Sequence, residues 1–148
     1  MKFRVAGRRT SLRTIIMQIT RESLARLELM TREEHRLKTF GEFKLWPKSK
    51  VPSPKKLAEA GLFCCGNEEE PDLTACYVCL KMLAGWEKND DPWLEHGRNT
   101  NCLFIQKGKK EADMTLGDFM ELDFAAAVNL VDDSKKSRTV DVTHDDIA

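Results

Sequence analysis

Apolar positions recur at two different periods along this chain. In residues 11–30, Leu12, Ile15, Ile16, Ile19, Leu24, Leu27 and Met30 recur at helical spacing, which predicts an amphipathic helix interrupted at Ser23. A second helix is predicted over 32–40, started by Thr31 with Glu34 three positions on, the capping-box spacing. The segment KLWPKSKVPSPKK then reads as a loop, because its prolines lack backbone donors and hold the chain extended. A short helix over 54–60 stops at Gly61. From 62 to 83 the runs become short, aromatic and apolar, broken by GNEEEPDL, and predict a small antiparallel sheet. After the acidic turn EKNDDP, Pro92 fits the first turn of another helix, where its missing N–H costs nothing. Thr115 and Asp118 start a last helix, whose stripe is Leu116, Phe119, Met120, Phe124, Ala127 and Val131. The polar, β-branched run after it predicts a stop near residues 130–133 and a disordered tail.

With 148 residues and 41% hydrophobic content, the chain has room for one modest core plus extensions. The expected division is a basic extension over 1–30, a zinc domain over 31–106, a linker and helix over 107–132, and a tail over 133–148. Nothing approaches a run of about 18 apolar residues, so no membrane span is expected, nor is a secretory signal. Net charge is zero but unevenly placed: residues 1–21 carry six basic side chains and no acid, whereas residues 64–108 carry eight acids against four bases. The Arg-rich start also fits a mitochondrial transit peptide. An acidic centre is a poor DNA platform, since duplex binding rests on Lys and Arg at phosphates, and a better receptor for a basic peptide or a free amino terminus.

The candidate chemistry lies in residues 76–102, CYVCLKMLAGWEKNDDPWLEHGRNTNC. Cys76 and Cys79 are spaced for a tight turn in which both thiolates face one ion; His96 follows after sixteen residues and Cys102 after five more. Three thiolates and one imidazole form a closed tetrahedral set, suited to one structural zinc and unsuited to a catalytic one, which needs an open position. Zinc binding on the order of 10 to 16 kcal/mol in small modules makes the ion a condition of folding. Cys64 and Cys65 fall outside this set and read as ordinary buried residues. Once the ligands are assigned, no nucleophile–base motif remains, so an enzyme is not expected.

GWEKNDDPWLEH, together with EHRLKTFGEF and LAEAGLFCCGNEEEPDLTAC, resembles the baculovirus inhibitor-of-apoptosis repeat (BIR) family. EPDLTACYVCLKMLAGWE and MTLGDFMELD are similar to its single-repeat members, over about residues 31–124. The resemblance implies an α+β fold: a zinc-stapled three-stranded antiparallel sheet with short helices around it and helical extensions at both ends. It implies a non-catalytic adaptor that works with borealin, the inner centromere protein and Aurora B kinase, binds a phosphorylated histone tail and opposes apoptosis. Capture of IAP-binding-motif peptides, in the cytoplasm or mitochondria, is the alternative. The adaptor would be found in cytoplasm and nucleus, at centromeres and at the spindle midzone. Carried over position by position, Asp90, with Asp91 beside it, would hold the peptide's ammonium, and Leu83 and Trp86 would wall the pocket for its first side chain. Lys81 would face the phosphate, with Arg98 as a second phosphate donor, because Asn99 stands where the single-repeat members have a histidine. Ala84 replaces a carboxylate that helps to grip the amine. Ser53, followed by Pro54, Lys55 and Lys56, matches a proline-directed kinase site, and Leu116, Phe119 and Met120 match a homodimer or partner-helix seam.

Overall fold

The computed structural model describes residues 21–42, 46–48 and 51–145. Helix α1 spans Arg21–Leu29 and α2 spans Glu33–Glu42; α3 (Pro54–Glu59) leads into strand β1 (Leu62–Cys64). Strands β2 (Thr74–Cys76) and β3 (Met82–Leu83) complete an antiparallel sheet of order β1-β2-β3, with Leu62 opposite Cys76 and Thr74 opposite Leu83. Helix α4 (Pro92–Gly97), α5 (Leu103–Lys107), a 3-10 turn (Glu111–Asp113) and the long α6 (Leu116–Asp145) follow. The expected α+β architecture with a three-stranded sheet is present.

Local chemistry explains the turns between these elements. Ser53 caps α3, its Oγ accepting the Lys56 N–H, and Pro54 opens that helix without a missing bond. Gly61 ends it at φ +83°, and a Cβ there would lie 3.0 Å from the Phe104 ring, so this reversal into β1 requires glycine. Asp72 Oδ2 accepts the N–H groups of Gly85 and Trp86 at 2.8 and 2.9 Å and fixes the chain just beyond β3.

The core gathers Leu57, Leu62, Val78, Leu83, Tyr77 and Phe104 around one buried cation. Arg36, 1% exposed, donates from Nε to the Ala58 carbonyl and from Nη1 to those of Met30 and Thr31, at 2.8–2.9 Å. Its Cζ lies 5.2 Å from the Tyr77 ring centroid and 5.8 Å from that of Phe104, a double cation–π contact that partly replaces lost hydration. This side chain joins α2, α3 and the aromatic core.

Three sequence expectations are corrected. Helix α1 runs unbroken through Ser23, and the part of the 11–30 prediction before residue 21 lies outside the described residues. The Thr31–Glu34 capping box does not form: Thr31 Oγ1 donates back to the Glu28 carbonyl, and the Glu33 N–H in the first turn of α2 goes to the Glu111 carboxylate. A carboxylate from the 3-10 turn thus satisfies that helix start from a distance. The predicted stop near residues 130–133 is overturned, because α6 continues to Asp145 and the polar tail is helical over most of its length. Extending a nucleated helix costs little per residue, and the docked first half of α6 supplies the nucleus. At the start of that helix the prediction holds: the Thr115 N–H donates to Asp118 Oδ2 and the Asp118 N–H to Thr115 Oγ1, reciprocally.

Candidate metal centre and peptide groove

Cys76 ends β2, Cys79 lies in the turn before β3, His96 is on α4 and Cys102 precedes α5, so four segments converge on one point. Their ligand atoms all lie within 4.8 Å of one another, and all but Cys79 are fully buried. A tetrahedral zinc with bonds of about 2.3 Å to sulfur and about 2.0 Å to nitrogen has a sulfur–sulfur edge of about 3.8 Å and a sulfur–nitrogen edge of about 3.5 Å. The observed separations are 3.8 Å between Cys76 Sγ and Cys102 Sγ and 3.5 Å between Cys79 Sγ and His96 Nε2. The donor set therefore fits one structural zinc in both chemistry and span.

The surroundings orient these ligands. His96 Nδ1 donates to the Ala60 carbonyl at 2.8 Å, which leaves Nε2 as the metal-facing nitrogen. The ring stacks on Phe104 at 6.2 Å. In the turn, the N–H groups of Val78 and Cys79 point at Cys76 Sγ at 3.3 and 3.5 Å, and Leu80 takes the left-handed φ of +62° that closes it. The Cys102 and Cys76 sulfurs hold the Cys79 thiol far below its ordinary range, whereas burial pushes that of Cys76 up. Binding of an ion would therefore have to displace the proton of the buried Cys76 thiol. Cys64 and Cys65 are free and apart from it; Cys64 is buried and Cys65 only half-buried, although burial of its thiol pushes the Cys65 pKa up to about 12.

At the start of α4, Asp91 is exposed and serves as the helix cap, its Oδ1 accepting the Trp93 N–H at 2.9 Å. Asp90 is 6% exposed; its Oδ2 accepts the Glu87 N–H at 2.6 Å, and among the described residues its buried Oδ1 has no hydrogen-bond partner. Sequence reasoning passed over Glu95. It is 2% exposed, its Oε1 pairs with Arg98 Nη2 at 3.2 Å, and its buried Oε2 also lacks a partner among the described residues. Burial raises its carboxyl above the usual range, and the Asp90 charge adds to that. Both buried carboxylates thus carry one oxygen without a hydrogen-bond partner among the described residues.

Leu83 and Trp86 are both buried, and the Trp86 indole N–H donates to Thr74 Oγ1 at 3.2 Å. Lys81 is engaged with the backbone. Its ammonium donates to the carbonyls of Glu95 (3.2 Å), His96 (3.5 Å) and Arg98, closing the end of α4, and burial lowers its pKa. The interface residues also separate. Leu116 and Met120 are exposed, in line with Phe124, whereas Phe119 is half-buried and lines a cavity of about 440 Å³ with Arg32, Glu33, Glu111 and Ala112. Ser53 is exposed as the α3 cap.

A three-stranded sheet closed by a Cys3His centre defines a zinc-binding repeat, and the family described as the Inhibitor of Apoptosis domain (BIR) matches residues 36–106. The chain belongs to this family. Its relatives are of the survivin type: it is 39% identical over 112 residues to Baculoviral IAP repeat-containing protein 5 of Cavia porcellus, covering 74% of this chain and 77% of that one. It is 42% identical over 91 residues to protein 5.1-B of Xenopus laevis, of which it spans 56%. Among solved structures, an autoinhibited dIAP1-BIR1 domain matches 64% of this chain and 89% of its own at a TM-score of 0.44 and 28% identity.

Proposed function

We propose that this protein is a non-catalytic adaptor that seats the free amino terminus of a partner peptide on Asp90 and Glu95. The observation that carries this reading is the pair of buried, unpartnered oxygens, Asp90 Oδ1 and Glu95 Oε2. A buried carboxylate oxygen left unpaired costs stability, and an ammonium with three donors is the group that satisfies two of them at once. Glu95 then supplies the second carboxylate that the resemblance expects at position 84, where this chain has alanine. Leu83 and Trp86, three positions apart, favour a small apolar first side chain such as alanine.

Within a chromosomal passenger assembly the peptide would be a phosphorylated histone tail. The exposed Leu116, Met120 and Phe124 of α6 would meet borealin and inner centromere protein helices, or a second copy in a homodimer, and so bring Aurora B kinase to centromeres and the midzone. Phosphate on Ser53 would add about −1.5 to −2 charge beside Lys55 and Lys56. The other reading, capture of IAP-binding-motif peptides by an apoptosis inhibitor, is favoured by the state of Lys81, whose ammonium is already held by carbonyls. Titration calorimetry separates the two. Peptides beginning Ala-Arg-phosphoThr, Ala-Arg-Thr and Ala-Val-Pro are compared with their N-acetylated forms. Binding that survives acetylation overturns the amine site; equal binding with and without phosphate overturns the histone reader and leaves the second reading.

A further inference from the structure

Among the contacts that hold helix α6 to the repeat is a stripe of Asp118, Leu122, Ala125 and Asn129, spaced four, three and four residues apart. Leu122 is fully buried, and Ala125 packs against the core. Asp118 takes Lys107 Nζ at 2.8 Å and Lys109 Nζ at 2.9 Å, which tie the helix to the end of α5. The last member is the odd one. Asparagine is a poorer helix former than alanine or leucine and sits here on the inward face. Its Nδ2 donates to the Val78 carbonyl at 2.8 Å, across 51 residues of sequence.

Val78 is the middle of the metal turn. Its N–H points at Cys76 Sγ, its side chain is fully buried, and its carbonyl is the group that Asn129 reads. One peptide unit therefore touches the metal ligand on one side and the following carbonyl touches the C-terminal helix on the other. The direction of that carbonyl depends on the turn keeping its ion-binding shape.

We propose that Asn129 is a positioning residue of the metal centre, which couples retention of zinc to docking of α6 through the Val78 carbonyl. Any such coupling is reciprocal: if the loaded turn favours the docked helix, the docked helix favours the ion by the same factor. Loss of zinc then releases α6 and, with it, the fixed orientation of its exposed Leu116, Met120 and Phe124. This goes beyond the peptide site and does not depend on it.

The test uses the full chain loaded with zinc. Release of the ion to a chromophoric chelator is followed for the wild type, Asn129→Ala, and Asp132→Asn as an exposed control on the same helix. Removing one part-buried hydrogen bond predicts release about tenfold faster from Asn129→Ala and an unchanged rate from Asp132→Asn. Equal rates from all three overturn the coupling. Should Asn129→Ala fail to fold, amide hydrogen exchange of the wild type at half-stoichiometric zinc decides the matter. Protection over residues 116–131 is expected to follow the loaded fraction, and protection that persists in the metal-free chain overturns the proposal.

Discussion

Glu95 and His96 are consecutive residues of α4, both inside the protein, and they differ in how well they are satisfied. His96 is fully buried with Nδ1 on the Ala60 carbonyl and Nε2 turned to the thiolates. Glu95 is 2% exposed and keeps Oε2 unpaired. The first arrangement is that of a structural centre, in which every polar atom has a partner, so removing any of them uncovers a buried group. On the function proposed above, the second is that of a receptor, in which the missing partner would be the ligand. One short helix thus carries both the staple that holds the fold and a group the fold leaves incomplete, and substitutions at the two should have opposite signatures.

The satisfied side breaks hardest. Chelation of zinc, or Cys102→Ser, should unfold residues 62–105, because metal binding on the order of 10 to 16 kcal/mol exceeds the usual stability of a domain this size. Circular dichroism combined with metal analysis checks it: one zinc per folded chain is expected, and a folded preparation with less than about half occupancy would contradict it. Next in size is Arg36→Ala. Truncation leaves the Met30 and Thr31 carbonyls without the Arg36 donor, takes one of two donors from the Ala58 carbonyl, and opens a cavity beside Tyr77 and Phe104, at a cost of about 3 kcal/mol or more in urea unfolding. Arg36→Lys should recover little, since an ammonium does not reproduce the fork that spans these carbonyls.

The unsatisfied side should behave the other way. Glu95→Gln and Asp90→Asn keep the shape and, for Asp90, the acceptor for the Glu87 N–H, while removing charge from a buried pair. Thermal unfolding should be unchanged or slightly raised, and affinity for an alanine-first peptide should fall about tenfold to a hundredfold, as expected for losing one charge-assisted contact. A variant that loses stability and keeps binding would place Glu95 with His96 as a structural group.

The same contrast marks what was legible in the sequence. The zinc set could be read because ligand type and chain spacing together nearly determine it, and Pro92 and Gly61 announce their turns through backbone chemistry alone. The two acids before Pro92 read less clearly, since Asp90 and Asp91 look alike until α4 forms and its first turn takes Asp91 as the cap. Glu95 had a signal that went unused: it lies three residues after Pro92 and beside His96, on the inward face of a helix whose Leu94 is 65% exposed. An acid facing inward while a leucine faces out is an inversion of the usual pattern. Arg36 was hidden likewise, four residues before Phe40 on the buried face of α2. Phe119 and Met120 were read as one surface because both extend the apolar stripe, but consecutive helix positions point about 100° apart, and only one of them turns toward Glu111. The length of α6 escaped because composition argues against a helix in its second half, whereas growth from an anchored first half does not depend on composition alone.

The smallest effect, and the sharpest for choosing between partners, belongs to Lys81. Its ammonium closes the end of α4 through three carbonyls, so Lys81→Ala should loosen the segment that carries both Glu95 and His96. Part of that damage is offset, because the site is near the surface and water can reach the freed carbonyls, so a loss of about 1 kcal/mol in unfolding free energy is expected. If the lysine serves only this role, the variant weakens Ala-Arg-phosphoThr and Ala-Val-Pro peptides alike, by less than about fivefold. If an arriving phosphate draws the ammonium away from the carbonyls, the phosphopeptide alone loses a charge-assisted contact, roughly 1.5 to 3 kcal/mol or tenfold and more. The ratio of the two losses, measured by calorimetry on one preparation, therefore reports whether Lys81 belongs with His96 among the satisfied groups or with Glu95 among those that wait for a ligand.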